Sequence, residues 1–190
     1  FFLFELCLYA NEIPFNALQK SVIGNWWYLG PLVKGTPSFD SVGKVEKDPL
    51  NYFNYESDNP LSKKIKYVTS DLTFGFQPFY QLYNEFNKGD ILYTFCYLES
   101  KKKLDEVQFS INSGSTSKIE VFINGALSTT HTGGNMDQVD FKSNLKKGRN
   151  SILLKVELND YTPDIVNVLP RFFFSAMPKE SVKIYGTVID

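Results

Sequence analysis

The sequence predicts an all-β fold, a sandwich of antiparallel sheets, on three observations. The first is alternation. Residues 104–112, 118–124 and 150–158 carry apolar side chains at every second position: Val107, Phe109 and Ile111; Ile119, Val121 and Ile123; Ile152, Leu154, Val156 and Leu158. That period is what a strand needs when one face is buried and the other is wet. The second is turn chemistry. Asn124-Gly125 ends the middle run, and both central residues of a type I′ hairpin turn need positive φ, which Asn and Gly tolerate best. The third is composition. Seventeen Phe and 11 Tyr among 190 residues favour pleated surfaces, on which flat rings pack well. Closely spaced strands with almost no helical periodicity between them build sandwiches.

Taken in order, residues 1–10 (FFLFELCLYA) are apolar and resemble the end of a secretory signal segment, with Ala10 as its last residue; Glu5 interrupts the run, and a buried first strand is the competing reading. The sandwich domain is expected over 11–178. Residues 11–24 read as a linker with a short helical or irregular turn. Trp26–Leu29 form a dense apolar strand that Gly30-Pro31 should stop. Residues 34–64 lack apolar periodicity and carry Gly35, Pro37, Gly43, Pro49 and Pro60, the pattern of a long surface excursion. Residues 64–70 are a short strand; 71–87, rich in Phe and Tyr but holding Gly75 and Pro78, read as a loop and a short helical turn. Residues 91–100 are apolar on both faces, so this strand should be central and covered on both sides. The polar segment 126–138 reads as an excursion, 139–141 as a short strand, 146–150 as a turn, 159–163 as another, and 171–176 as a strand after Pro170. Residues 181–190 read as the first strand of a following domain.

Composition also limits function. The formal net charge is −1, and Arg149 and Arg171 are the only arginines. Such a chain offers no basic field for nucleic acid and no arginine clamp for phosphate. No run approaches the ~18 apolar residues of a membrane helix. Cys7 and Cys96 are far apart and make neither a disulfide framework nor a zinc site; Cys96 should be an inert core thiol. His131 is the only histidine, so any Ser/His/Asp triad would have to use it, yet it lies in the polar run TTHTGGN without a neighbouring carboxylate. It is expected to face solvent. Asp137, Asp140 and Glu157 are scattered and no loop shows a dense run of carboxylates; a structural calcium held by loop oxygens is the lesser alternative to no metal. No catalytic residue, metal site or cofactor is therefore expected. Sugar binding uses flat rings and hydrogen-bonding side chains. Trp27, His131, Asn135 and Tyr161 are the ligand-contact candidates; the alternative for the rings is that they cap the core or pack beneath the 34–64 excursion.

KIEVFING (118–125), LKKGRNSILLKV (145–156) and the upstream WWYLGPL (26–32) together resemble the galactose-binding-domain-like jelly rolls found as accessory modules in secreted bacterial proteins. Leu32 stands where that family usually has Phe. Many members also carry paired acids in the loop before the Asn-Gly strand, where this chain has Ser113–Ser117 without any. The tail residues Ile184, Gly186, Val188 and Asp190 resemble the opening strand of carboxypeptidase regulatory-like domains. The resemblance implies an antiparallel jelly-roll β-sandwich in a secreted, periplasmic or cell-surface bacterial protein of several domains. It implies a non-catalytic accessory or interaction module whose partners are neighbouring domains of the same chain; the alternative is a carbohydrate-binding module that recognises an extracellular glycan. The fold alone names no ligand.

Overall fold

The computed structural model describes residues 15–17, 23–54, 56–69, 77–78, 86–114, 116–132, 135–159 and 171–177. Its strands are β1 (Phe15–Ala17), β2 (Asn25–Leu32), β3 (Lys66–Thr69), β4 (Gln77–Pro78), β5 (Ile91–Ser100), β6 (Leu104–Gly114), β7 (Thr116–Ile123), β8 (Ala126–Thr132), β9 (Asn135–Leu145), β10 (Gly148–Leu158) and β11 (Arg171–Met177). Between β2 and β3 lie a 3-10 turn at Pro37–Ser41, a short helix α1 (Pro49–Phe53) and a 3-10 turn at Ser62–Lys64. The larger sheet has the order β3-β2-β5-β10-β7-β8, with β1 pairing in parallel against β5; the smaller has the order β4-β11-β6-β9. From β5 onward the chain passes repeatedly between sheets, as a jelly roll does. The all-β, antiparallel sandwich expected from alternation is the fold.

The two inner faces share one core. Leu92, Cys96, Ile119, Val121, Ile152, Leu154 and Val156 of the larger sheet meet Val107, Phe109, Ile111, Phe174 and Ala176 of the smaller. Each fully buried Leu, Ile or Phe contributes about 1.5–3 kcal/mol. Trp26 stands edge-on to Phe174 at 5.8 Å, and its Nε1 donates to the Ile23 carbonyl at 2.8 Å. The Asn124-Gly125 hairpin forms as expected, with φ of 52° and 81°. Asn150 fixes the neighbouring turn. Its Oδ1 accepts from Lys146 N and Asn124 Nδ2, both at 2.9 Å, and its Nδ2 donates to the carbonyls of Lys146 at 2.9 Å and Gly148 at 3.0 Å.

The outer face of the larger sheet is also covered. A strap of residues 33–54 and 56–65 lays Val45, Tyr52 and Phe53 over Trp27, Leu29, Tyr93, Phe95 and Leu153. Phe53 stacks on Phe95 at 5.2 Å. Asp90 anchors the strap's root: its Oδ1 accepts from Lys34 N and its Oδ2 from Asn87 N, both at 2.9 Å. In α1, Pro49 opens the helix and the Asp48 side chain accepts from Asn51 N, a normal N-cap arrangement. β5 is thus covered on both sides, as its two apolar faces require.

Four expectations need correcting. The segment 11–24 is not all linker, because Phe15–Ala17 form β1 and pair in parallel with Tyr97–Glu99 of β5. Gly30-Pro31 does not stop β2; the strand continues to Leu32 with a register shift against β5 between Leu29 and Leu32. Gly30 makes this passable, because at its φ of 128° a Cβ would lie 2.9 Å from the Ile91 carbonyl oxygen. Within the segment 126–138, read as an excursion, residues 126–132 form β8 and 135–138 begin β9. Their polarity misleads because β8 is an edge strand with few buried positions; the β-branched Thr129, Thr130 and Thr132 are its strand signal. His131 does not face solvent: it is opposite Ile119 and only 1% exposed. The helical turn expected in 71–87, the signal segment at 1–10, Tyr161 and the 181–190 tail lie outside the described residues, apart from 77–78 and 86–87.

Candidate functional site

The period-two geometry of β5, β10 and β7 arranges the outer face of the larger sheet in rows. Trp27, Phe95, Leu153 and Phe122 form the first row, Leu29, Tyr93, Lys155 and Glu120 the second, and Ile91, Glu157 and Lys118 the third. The face therefore grades from apolar to charged. The strap seals the apolar end and only partly covers the charged end. There Val42 of the strap, Ile91, Lys118, Glu120, Lys155 and Glu157 line a recess of about 170 Å³.

An ion-pair chain crosses this site. Lys155 Nζ lies 2.8 Å from Glu46 Oε1 of the strap and 3.4 Å from Glu120 Oε2, and Lys118 Nζ lies 2.6 Å from Glu120 Oε1. Partial burial of Glu120 favours its neutral form, but Lys118 and Lys155 outweigh it and hold the carboxyl below the usual carboxylate range. Partial burial of Lys155 works against its charge, yet Glu46 and Glu120 prevail and push its pKa up. Tyr93 is raised first by burial and then by the charge of Glu46, so its hydroxyl stays protonated. The Tyr93 hydroxyl and Glu46 Oε2 are both buried, and the hydroxyl interacts with the Glu46 carboxylate. Glu157 lines the recess opposite Lys118 and Ile91 in the register. Among the described residues it makes no ion pair.

The three candidates from sequence that are among the described residues, Trp27, His131 and Asn135, do not meet at one place. Trp27 is 2% exposed and packs beneath the strap, not on a binding surface. Of the two readings for the rings, burial is the one that holds for Trp27. It points away from the core shared by the two sheets, and the strap occupies that side. His131 is on β8 with its side chain buried, so it offers no exposed contact. Asn135 begins β9, in the smaller sheet. Tyr161 lies outside the described residues. Of the scattered carboxylates, Asp140 on β9 is held below the usual range by hydrogen bonds from Ser110 and Gln138. Lys155 and Glu157 were legible as outward-facing from the alternation of β10. Glu46 carried no signal, because its partner is fixed only by the strap's path. Among the described residues no three His, Cys, Asp or Glu side chains are grouped to hold a metal ion. Likewise, no helix there is long and apolar enough to cross a membrane.

No known family profile matches the sequence, and no curated protein matches it. Solved structures do match. The β-glucuronidase of Ruminococcus gnavus aligns with 84% of this chain at 14% identity and a TM-score of 0.51. A β-glucuronidase from an uncultured Clostridium sp. covers the same 84% at 12% identity and the same score of 0.51. The fold is that of a jelly-roll β-sandwich. This chain spans 29% of the length of each of those two enzymes. A family 35 carbohydrate-binding module from Clostridium thermocellum overlaps with 48% of this chain and 73% of its own, at 12% identity and a TM-score of 0.35.

Proposed function

We propose that this chain is a non-catalytic, carbohydrate-binding β-sandwich module of a larger secreted protein. The observation that carries the reading is the charged recess beside the strap. A sugar hydroxyl both donates and accepts, and here ammonium donors and carboxylate acceptors alternate around one opening, with Val42 and Ile91 as an aliphatic wall for C–H faces. Its volume of about 170 Å³ suits one sugar ring at the end or edge of a glycan. Drug-sized sites are larger, about 300–1,000 Å³. The likeness in fold to under a third of each β-glucuronidase chain supports a module within a longer polypeptide.

The chemistry of the recess favours binding over turnover. A glycosidase needs one carboxyl protonated as general acid opposite a second, ionised one. The two lysines beside Glu120 lower its pKa, which suits an acceptor rather than an acid. Titration of the purified chain against a panel of neutral, amino and acidic oligosaccharides tests the reading. Binding that weakens on Lys155→Met or Glu120→Gln, without release of reducing sugar, is the expected result. A flat panel overturns it.

A second reading, a module that packs against a neighbouring domain, is favoured by Leu127. This residue, 56% exposed, extends the apolar row from Phe122 to the sheet edge. Under that reading the glycan panel is flat, and amides of β8 gain hydrogen-exchange protection in the full-length protein. Unchanged protection there excludes it.

A further inference from the structure

We infer that the recess selects sugars carrying a protonated primary amine over neutral and acidic ones, an inference that rests on the carbohydrate-binding reading above. The basis is an imbalance among the side chains that line or enclose it. Glu46, Glu120 and Glu157 supply three carboxylates against the two ammoniums of Lys118 and Lys155. The buried Tyr93 hydroxyl is neutral and adds no charge.

Both ammoniums are already engaged. Lys155 is shared between Glu46 at 2.8 Å and Glu120 at 3.4 Å, and Lys118 holds Glu120 at 2.6 Å. Glu157 is the carboxylate left over. It lines the recess, is half-buried, and forms no ion pair among the described residues although Lys118 lies opposite in the register. A sugar amine placed there gives Glu157 a counter-ion and brings the group to neutrality. A uronic acid does the reverse: its carboxylate adds a negative charge and has to share Lys118 with Glu120. An N-acetylated sugar removes the charge and keeps the hydroxyls, so it isolates the electrostatic contribution.

The test is calorimetric titration of the purified chain with a β-1,4-glucosamine tetramer, its N-acetylated counterpart and tetragalacturonate, below the amine's pKa and at low ionic strength. One solvent-facing charge pair is expected to make the amine tetramer bind about three- to fivefold tighter than the acetylated one. The gap should narrow at physiological salt, where screening is stronger. Glu157→Gln should abolish the preference, bringing the affinities of the amine and acetylated tetramers together. Glu56→Gln removes the same charge from an exposed position on the strap and should keep the preference. Equal binding of amine and acetylated tetramers, tighter binding of tetragalacturonate, or equal loss of preference in both variants overturns the inference while the carbohydrate reading stands. Binding of none of the three in the wild-type chain, nor of any other glycan, removes the reading and the inference together.

Discussion

Lys155→Met is the perturbation that best tests how the strap is held. The methionine keeps most of the stem's packing and deletes the ammonium between Glu46 and Glu120. An exposed ion pair is worth about 0.2–1 kcal/mol, whereas truncating one partner of a fully buried pair costs about 3–5 kcal/mol. Side-chain exposures here are 21% for Lys155, 11% for Glu46 and 18% for Glu120. The site is thus closer to the buried limit. Glu120 keeps Lys118, so the loss falls mainly on Glu46, whose one ion-pair partner among the described residues is Lys155. A cost of about 2–3 kcal/mol follows for the single variant. The double variant Glu46→Gln/Lys155→Met leaves no uncompensated carboxylate at that place, and should lie within about 1 kcal/mol of wild type. Urea unfolding of the wild type, both singles and the double gives the four free energies, and an unchanged slope shows that the denatured state is not altered. A Lys155→Met loss below about 0.5 kcal/mol, or strict additivity in the double variant, would refute the claim that this pair clamps the strap.

Two further outcomes follow from the same structure. Asn150→Ala removes the side chain that satisfies Lys146 N and the carbonyls of Lys146 and Gly148, and should cost about 2–4 kcal/mol by urea unfolding. Asn150→Asp should not rescue it, since a carboxylate cannot donate to those carbonyls; near-wild-type stability of either variant contradicts the network. For pH, Glu120 has a folded pKa below its unfolded value, so its contribution is full above about pH 4.3 and is lost as pH falls through the folded pKa. Lys155 has a raised folded pKa, so its share is full below about pH 10.4 and is lost only as pH rises beyond that. The urea midpoint should therefore fall on the acid side in the wild type, and Glu120→Gln should flatten that limb. An identical acid limb in the variant would show that other carboxylates set it.

What is legible in the sequence and what is not divide along a physical line. Alternation and turn chemistry act over a few residues, so the pattern of β6, β7 and β10, the Asn124-Gly125 hairpin and the turn at Gly148 and Asn150 can all be read from local residue order. The two apolar faces of β5 even require a cover on each side, though not which segment supplies it. β8 escapes such a reading because an edge strand buries little and so shows no apolar period. The candidate site escapes it for a different reason. Lys155 and Glu157 read correctly as outward-facing, but outward from the core is not the same as exposed. Only the docking of the strap decides that Trp27 is sealed and that Lys155 meets Glu46, a residue remote in sequence. That docking depends on Phe53 finding Phe95 and on Asp90 holding Lys34 N, contacts with no local signature. The strap thus converts one sheet face into two regions, an apolar floor that it covers and a charged margin that it walls. The recess exists because the cover ends where the rows of the sheet turn polar.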